Sequence, residues 1–164
     1  MKVIFLDIDG VLNSEKWFIY LKKHKLSRIN HEMLLQDKSI RLLAKLCKKT
    51  GADIVLSSTW RVDEEAVENV AQQLAKCGLY LIDKTPVFSG NRGEEIAKWL
   101  ADYVLKARPK VDDRFGKEPT IDKICIIDDD EDMGYLMPSL VKTDWRHGFT
   151  YKDYRKAYKL LRDK

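Results

Sequence analysis

"FLDIDGVLN", residues 5–13, decides how this chain is read. The apolar residues Val3, Ile4, Phe5 and Leu6 run into Asp7 and Asp9, one residue apart, and then Gly10. Taken alone, Asp-Gly between apolar runs is a strong two-residue hairpin turn, with Val11 and Leu12 opening the return strand. The other reading is a buried strand that delivers two carboxylates to the edge of a sheet. The residues that end the remaining apolar runs choose between the two.

Residues 2–6 read as the first strand. Asp37 suits the cap of a helix reaching about Lys49, because Ile40, Leu42, Leu43, Leu46 and Cys47 keep helical spacing and Gly51 comes next. Residues 52–56 (ADIVL) form a second apolar run that ends in Ser57, Ser58 and Thr59. Asp63 then caps a helix carrying Val67, Val70 and Leu74, which Gly78 stops. Residues 79–82 read as a short third strand. Arg92 begins a helix to about Leu105 with Ile96, Trp99, Leu100 and Tyr103 on one face. The charged stretch 106–120, with Pro and Gly, reads as a surface loop. Residues 124–127 (ICII) are a fourth strand and 140–141 a weak fifth. Thr150 opens a basic terminal helix with Asp153 placed for a capping box. Continuous apolar strands alternating with helices predict a parallel sheet covered on both faces. The expected fold is α/β: a Rossmann-like three-layer sandwich with a mostly parallel five-stranded sheet, in one domain spanning residues 1–164.

Ligands of such sheets sit outside the carboxyl ends of the strands. After the first strand come Asp7 and Asp9; after the second, Ser57, Ser58 and Thr59; after the fourth, Asp128, Asp129, Asp130 and then Asp132. Parallel strands gather all of these at one edge, a coincidence that a hairpin at Gly10 leaves unexplained. Clustered carboxylates repel unless a cation sits among them. Oxygen ligands without nearby His or Cys point to a hard ion, Mg²⁺. Hydroxyls and a cation beside a carboxylate nucleophile are the parts of phosphoryl transfer.

Composition agrees with an ordinary soluble globular protein. A hydrophobic content of 45% beside 34% charged residues is that of a globular protein, and 164 residues bury a core without staples. The apolar runs are too short to span a membrane, and the N-terminus meets acid too early for a signal peptide. Cys47, Cys77 and Cys125 sit in apolar contexts without C-x-x-C spacing, which predicts reduced thiols and a cytoplasmic protein. A net charge of +4 suits an anionic substrate without requiring nucleic acid.

D-x-D-G-V in "FLDIDGVLN", the serine closing "DIVLS", the basic residue opening "RGEEIAKWL", and "ICIIDDDED" together resemble the four motifs of the haloacid dehalogenase (HAD)-like phosphatase superfamily, in that superfamily's order. The resemblance implies that Asp7 attacks phosphorus to form an aspartyl-phosphate. It implies that Asp9 protonates the leaving group and then activates water. Ser57 would bind a phosphate oxygen, and Asp128 or Asp129 would hold Mg²⁺ with Asp7 and the backbone carbonyl of Asp9. Asp132 is a further candidate for completing the metal site. Gly10 would let the backbone approach the phosphate. The third motif is usually lysine; here it falls on Arg92, whose guanidinium can neutralise phosphate, with Lys98 as the fallback. Ser58 is a second phosphate-side candidate, or with Thr59 the cap of the next turn.

Larger members carry a cap domain. The stretches from Asn13 to Ala52 and from Arg61 to Arg92 leave no room for one, which predicts an open site. Among compact members, "DGVLN", "SSTWR", "RGEEIAKWL" and "TDWRHGFT" resemble the HAD domains associated with RNA-repair proteins. Trp60-Arg61 and Trp145-Arg146 would then lie at the rim, where rings stack a base and arginines meet phosphate, although a tryptophan is more often core packing. The expected substrate is a phosphomonoester, a nucleotide or nucleic-acid end; the expected state is a monomer. The alternative is a non-catalytic or signalling phosphate-binding module of the same fold. Residues 17–26 read as an amphipathic lid or helix, and His24, His31 and His147 as surface or loop residues.

Overall fold

The computed structural model describes residues 1–26, 34–88, 90–106 and 120–163. Most of the charged stretch read as a loop, and His31, lie outside them. The strands are β1 (Lys2–Leu6), β2 (Ala52–Leu56), β3 (Leu81–Lys84), β4 (Lys123–Asp128) and β5 (Leu140–Lys142). The helices are α1 (Glu15–Lys23), α2 (Asp37–Thr50), α3 (Glu64–Ala75), α4 (Arg92–Lys106) and α5 (Tyr151–Leu161). The strands form one sheet in the order β3-β2-β1-β4-β5, and every neighbouring pair is parallel. The fold is α/β and Rossmann-like.

Period-two alternation splits the central strands between two cores. Ile4 and Leu6, with Ile54, Leu56, Cys125 and Ile127, face Ile40, Leu43 and Leu46 of α2, Val70 and Leu74 of α3, and Ala157 and Leu161 of α5. Val3, Phe5, Val55 and Ile126 face the other way, onto Ile96 and Trp99 of α4 and onto Met133 and Leu136. Phe5 meets Trp99 edge-on, with ring centroids 5.4 Å apart.

Strands β4 and β5 extend the sequence reading by a residue or two, and three other boundaries differ from it for physical reasons. The third strand is 81–84, not 79–82. Leu79 is buried ahead of it, and the strand itself is half exposed because it lies at the sheet edge and needs no continuous apolar run. Gln36 rather than Asp37 caps α2; Asp37 is the first helical residue and pairs with Arg41 one turn on. Within 17–26 the helix begins earlier, at Glu15, with the Ser14 side chain accepting from the Trp17 amide. The β1–α2 connection holds α1 and no other described element, and the described residues form no cap domain over the strand ends. No helix of the described chain is long and apolar enough to cross a membrane.

Candidate active site

The parallel register brings the ends of β1, β2 and β4 level. The Asp7 amide continues the ladder to Ile127 (3.0 Å), and the Ser57 amide does so to Leu6 (2.8 Å). Asp7, Ser57, Ser58 and Asp128 are consequently buried, while Asp129 is half-buried and Asp9 exposed. Carboxylate oxygens of Asp7, Asp128 and Asp129 all lie within 4.8 Å of one another.

Burial dominates the electrostatics of this cluster. Desolvation, reinforced by the charge of Asp128, pushes the Asp7 carboxyl up to about 8; Arg92 and hydrogen bonds from the Ser58 side chain and the Ile8 backbone pull the other way. Desolvation likewise raises Asp128 to about 6 and raises Asp129, whose neighbour Asp130 adds to the effect. Arg92 is the cation that faces them. Its Nη2 lies 3.6 Å from Asp7 Oδ1 and its Nε 3.5 Å from Asp128 Oδ2. Lys98 pairs instead with Asp102 on the exposed side of α4. Among the described residues Ser57 Oγ, Arg92 Nη1 and Asp128 Oδ2 are buried without a hydrogen-bond partner. Such orphans are costly unless a ligand completes them. Crowded carboxylates with an open oxygen fit a hard divalent cation, and a hydroxyl and a guanidinium N–H beside them fit phosphate oxygens.

Two glycines make the approach possible. Gly10 has φ +68°, and a Cβ there would lie 2.4 Å from the Asp129 side chain. Its bareness therefore admits Asp129 to the cluster, a role the motif alone did not suggest. A Cβ on Gly93 would lie 2.4 Å from the Met133 carbonyl oxygen. That contact seats the start of α4 against the segment after β4, where Asp132 accepts from the Arg92 amide (2.9 Å). Asp132 thus holds the helix carrying Arg92 and stands outside the carboxylate cluster.

Asp9 is not one of the three carboxylates of that group, though its charge helps to raise Asp129. Its two oxygens accept from Asn13 Nδ2 (2.9 Å) and Trp60 Nε1 (2.8 Å). Trp60, expected as a stacking ring at the rim, is half-buried against the core and orients Asp9. Ser58 caps the turn through residues 59–62 and also reaches Asp7. Asn13 carried no motif signal beyond its place after Asp9.

Arg61 requires a correction. Expected as an exposed phosphate contact, it is 4% exposed, and every hydrogen bond it makes is internal. Nε donates to the Thr85 carbonyl (3.1 Å), Nη1 to Ser58 (2.6 Å), and Nη2 to Pro86 (3.3 Å) and to the Glu95 carboxylate. Glu95 accepts in turn from the Phe88 amide (3.2 Å). The pair ties the loop after β2, the loop after β3 and α4 together. Sequence reading missed Glu95, whose place in "RGEEIAKWL" looks like any helix surface. Trp145 and Arg146 are exposed on the turn between β5 and α5, where His147 contacts Asp144 and Lys16.

Neither the curated proteins nor the solved structures include a match to this chain. One family does match, described as the HAD domain in Swiss Army Knife RNA repair proteins, over residues 3–154. With that span reaching from within β1 into α5 and taking in all the other strands, the chain belongs to this family of HAD domains.

Proposed function

We propose that the chain is a Mg²⁺-dependent phosphomonoester hydrolase that works through an aspartyl-phosphate on Asp7. Family membership supports HAD-type phosphatase chemistry in general. The observation that carries the finer reading is the group of buried Asp7 and Asp128 with half-buried Asp129, faced by Arg92, with the Ser57 hydroxyl lacking a hydrogen-bond partner beside them. Asp7, Asp128 and Asp129 would hold Mg²⁺, which supplies the positive charge that keeps Asp7 ionised and offsets that of the phosphate.

An Asp7 carboxylate oxygen attacks phosphorus. As that bond forms, the bond from phosphorus to the ester oxygen breaks, and Asp9 gives its proton to the departing oxygen. Water then attacks the phosphorus of the acyl phosphate while Asp9 takes its proton, releasing inorganic phosphate and restoring Asp7. Asn13 and Trp60 hold the exposed Asp9 carboxylate, which supports its use as the acid and base of these two steps. Arg92 and Ser57 bind the phosphoryl oxygens and hold the acceptor in line.

Among the described residues no cap domain lies over the site, and Trp145 and Arg146 stand exposed nearby. These features, with the family's description, favour a phosphate on a nucleotide or a nucleic-acid end over a small sugar phosphate. A phosphatase screen with Mg²⁺ tests both levels. Phosphate release from aryl phosphate, stopped by chelator and by Asp7→Asn, supports the chemistry. A stable phospho-adduct without turnover would replace it by a signalling module. A tenfold preference in kcat/KM for sugar phosphates over phosphorylated oligonucleotides would remove the nucleic-acid part.

A further inference from the structure

We propose that the groove between the starts of α2 and α5 is a binding track for single-stranded nucleic acid that leads to the site at Asp7. It builds on the nucleic-acid part of the function above. The groove encloses about 380 Å³ and is lined in part by Gln36, Lys38, Arg41, Lys45, His147 and Tyr151.

Its place is set by the fold. Helices of a parallel sheet return against the strands, so α2 and α5 begin at the edge where the strands end. The loop that carries Asp9 is bonded to the groove on both sides. Leu12 accepts from the Gln36 amide (2.7 Å), and Val11 accepts from the Phe149 amide (2.8 Å). A chain whose end lies at Asp7 would cross the exposed turn bearing Trp145 and Arg146 and enter here.

The chemistry of the lining selects the occupant. Lys38, Arg41 and Lys45 fall at i, i+3 and i+7, one face of α2, over about 10 Å of helix axis. The lining contains no acidic residue. The adjacent Asp37 pairs with Arg41 at 2.6 Å, but both side chains are largely exposed, so the pair is weak and exchangeable. Asp144 is taken up by His147 (3.0 Å). Tyr151, 60% exposed, leans on Tyr154 with ring centroids 5.5 Å apart, and Lys45 Nζ lies 5.9 Å from the Tyr151 centroid. Cations strung along a helix do not converge on one anion as a free-phosphate site would. They match a repeating phosphodiester, and an exposed ring among them offers a face to a base. A phosphopeptide would bring one clustered charge to the same surface and use less of it.

The test is fluorescence anisotropy with a labelled oligouridylate that carries no terminal phosphate. For contacts to three phosphates, the affinity of the unaltered protein should fall with a slope of about −2 in log K against log salt. The double variant Lys38→Glu/Lys45→Glu should bind at least tenfold more weakly and with a flatter slope. Tyr151→Ala, which leaves the charges in place, should lose about fivefold or more with the slope unchanged. Thermal melts establish that each variant is folded. Affinity unchanged in both folded variants would overturn the track, as would a phosphopeptide that displaces the oligonucleotide more effectively than unlabelled oligouridylate does. The probe has no phosphomonoester, so its binding is independent of turnover. Binding that responds to these variants in a protein releasing phosphate from nothing would keep the track and sink the phosphatase reading instead.

Discussion

Arg92 and Glu95 lie one turn apart on α4, and each faces an opposite charge in the interior, yet the two pairs are finished differently. Around Glu95 the charged groups are satisfied: Arg61 and Glu95 bond each other, and three carbonyls and an amide take up the rest. Around Arg92 the bonding stays open. Its distances to Asp7 and Asp128 are 3.6 and 3.5 Å, and Ser57 Oγ, Arg92 Nη1 and Asp128 Oδ2 are left without hydrogen-bond partners. Burial and charge are common to both regions; completion is what separates scaffold from site. A buried pair that satisfies itself fixes geometry, whereas one with orphaned atoms is shaped for something that arrives later.

The sharpest way to break this comparison is Asp7→Asn. If the open cluster is the catalytic one, phosphatase turnover falls by about a thousandfold or more. The metal-free protein should meanwhile melt at a higher temperature near neutral pH, since an amide is buried without the proton that the Asp7 carboxyl must take up on folding. Lower stability in that variant would place Asp7 among scaffold residues. Glu95→Ala should do the reverse of a site mutation. It strands Arg61 in the interior and costs about 3–5 kcal/mol of stability, read in urea unfolding. A loss below about 1 kcal/mol would show that the closed pair carries little of the fold.

Protons sharpen the contrast further. Asp128 and Asp7 bind protons more tightly folded than unfolded, with folded values of about 6 and about 8. Their contribution to the stability of the metal-free protein is therefore fully present below about pH 4, the unfolded carboxylate value. It is lost as pH rises through about 6 and then about 8. Mg²⁺ must displace those protons, so the rise in Tm it gives should be larger at about pH 8 than at about pH 5. Equal shifts at both would mean that the cation binds elsewhere. The smallest effect is at the mouth. Trp60→Phe removes one donor from Asp9, worth about 1.5 kcal/mol or roughly tenfold in kcat, with KM little changed.

The open cluster was legible before any coordinates, and the closed one was not. Asp7, Asp128 and the serines each come directly after an apolar strand, and parallel order converts that adjacency in sequence into adjacency in space. Arg92 could be read because it begins a helix aimed at the same edge. Arg61 looked equally exposed, coming after the same serines, because no local pattern reveals that Glu95, on a distant helix, waits for it. Trp60 was legible as an aromatic near the site but not as a donor, since the sign of a ring's role lies in which way the indole N–H points. Gly93 likewise shows its need only against Met133. The edge strand β3 was misplaced by two residues because half-exposed strands lack the apolar run that marked the others.

The order β3-β2-β1-β4-β5 has a consequence for how the molecule breathes. Every carboxylate and hydroxyl of the open cluster ends one of the three inner strands, and neither outer strand supplies one. Fraying begins where backbone bonds have one neighbour, so β3 and β5 should release their amides to deuterium by local opening while 3–6 exchange only on global unfolding. Partial opening would then leave the reacting groups assembled. The chemistry rides on the part of the sheet that comes apart last.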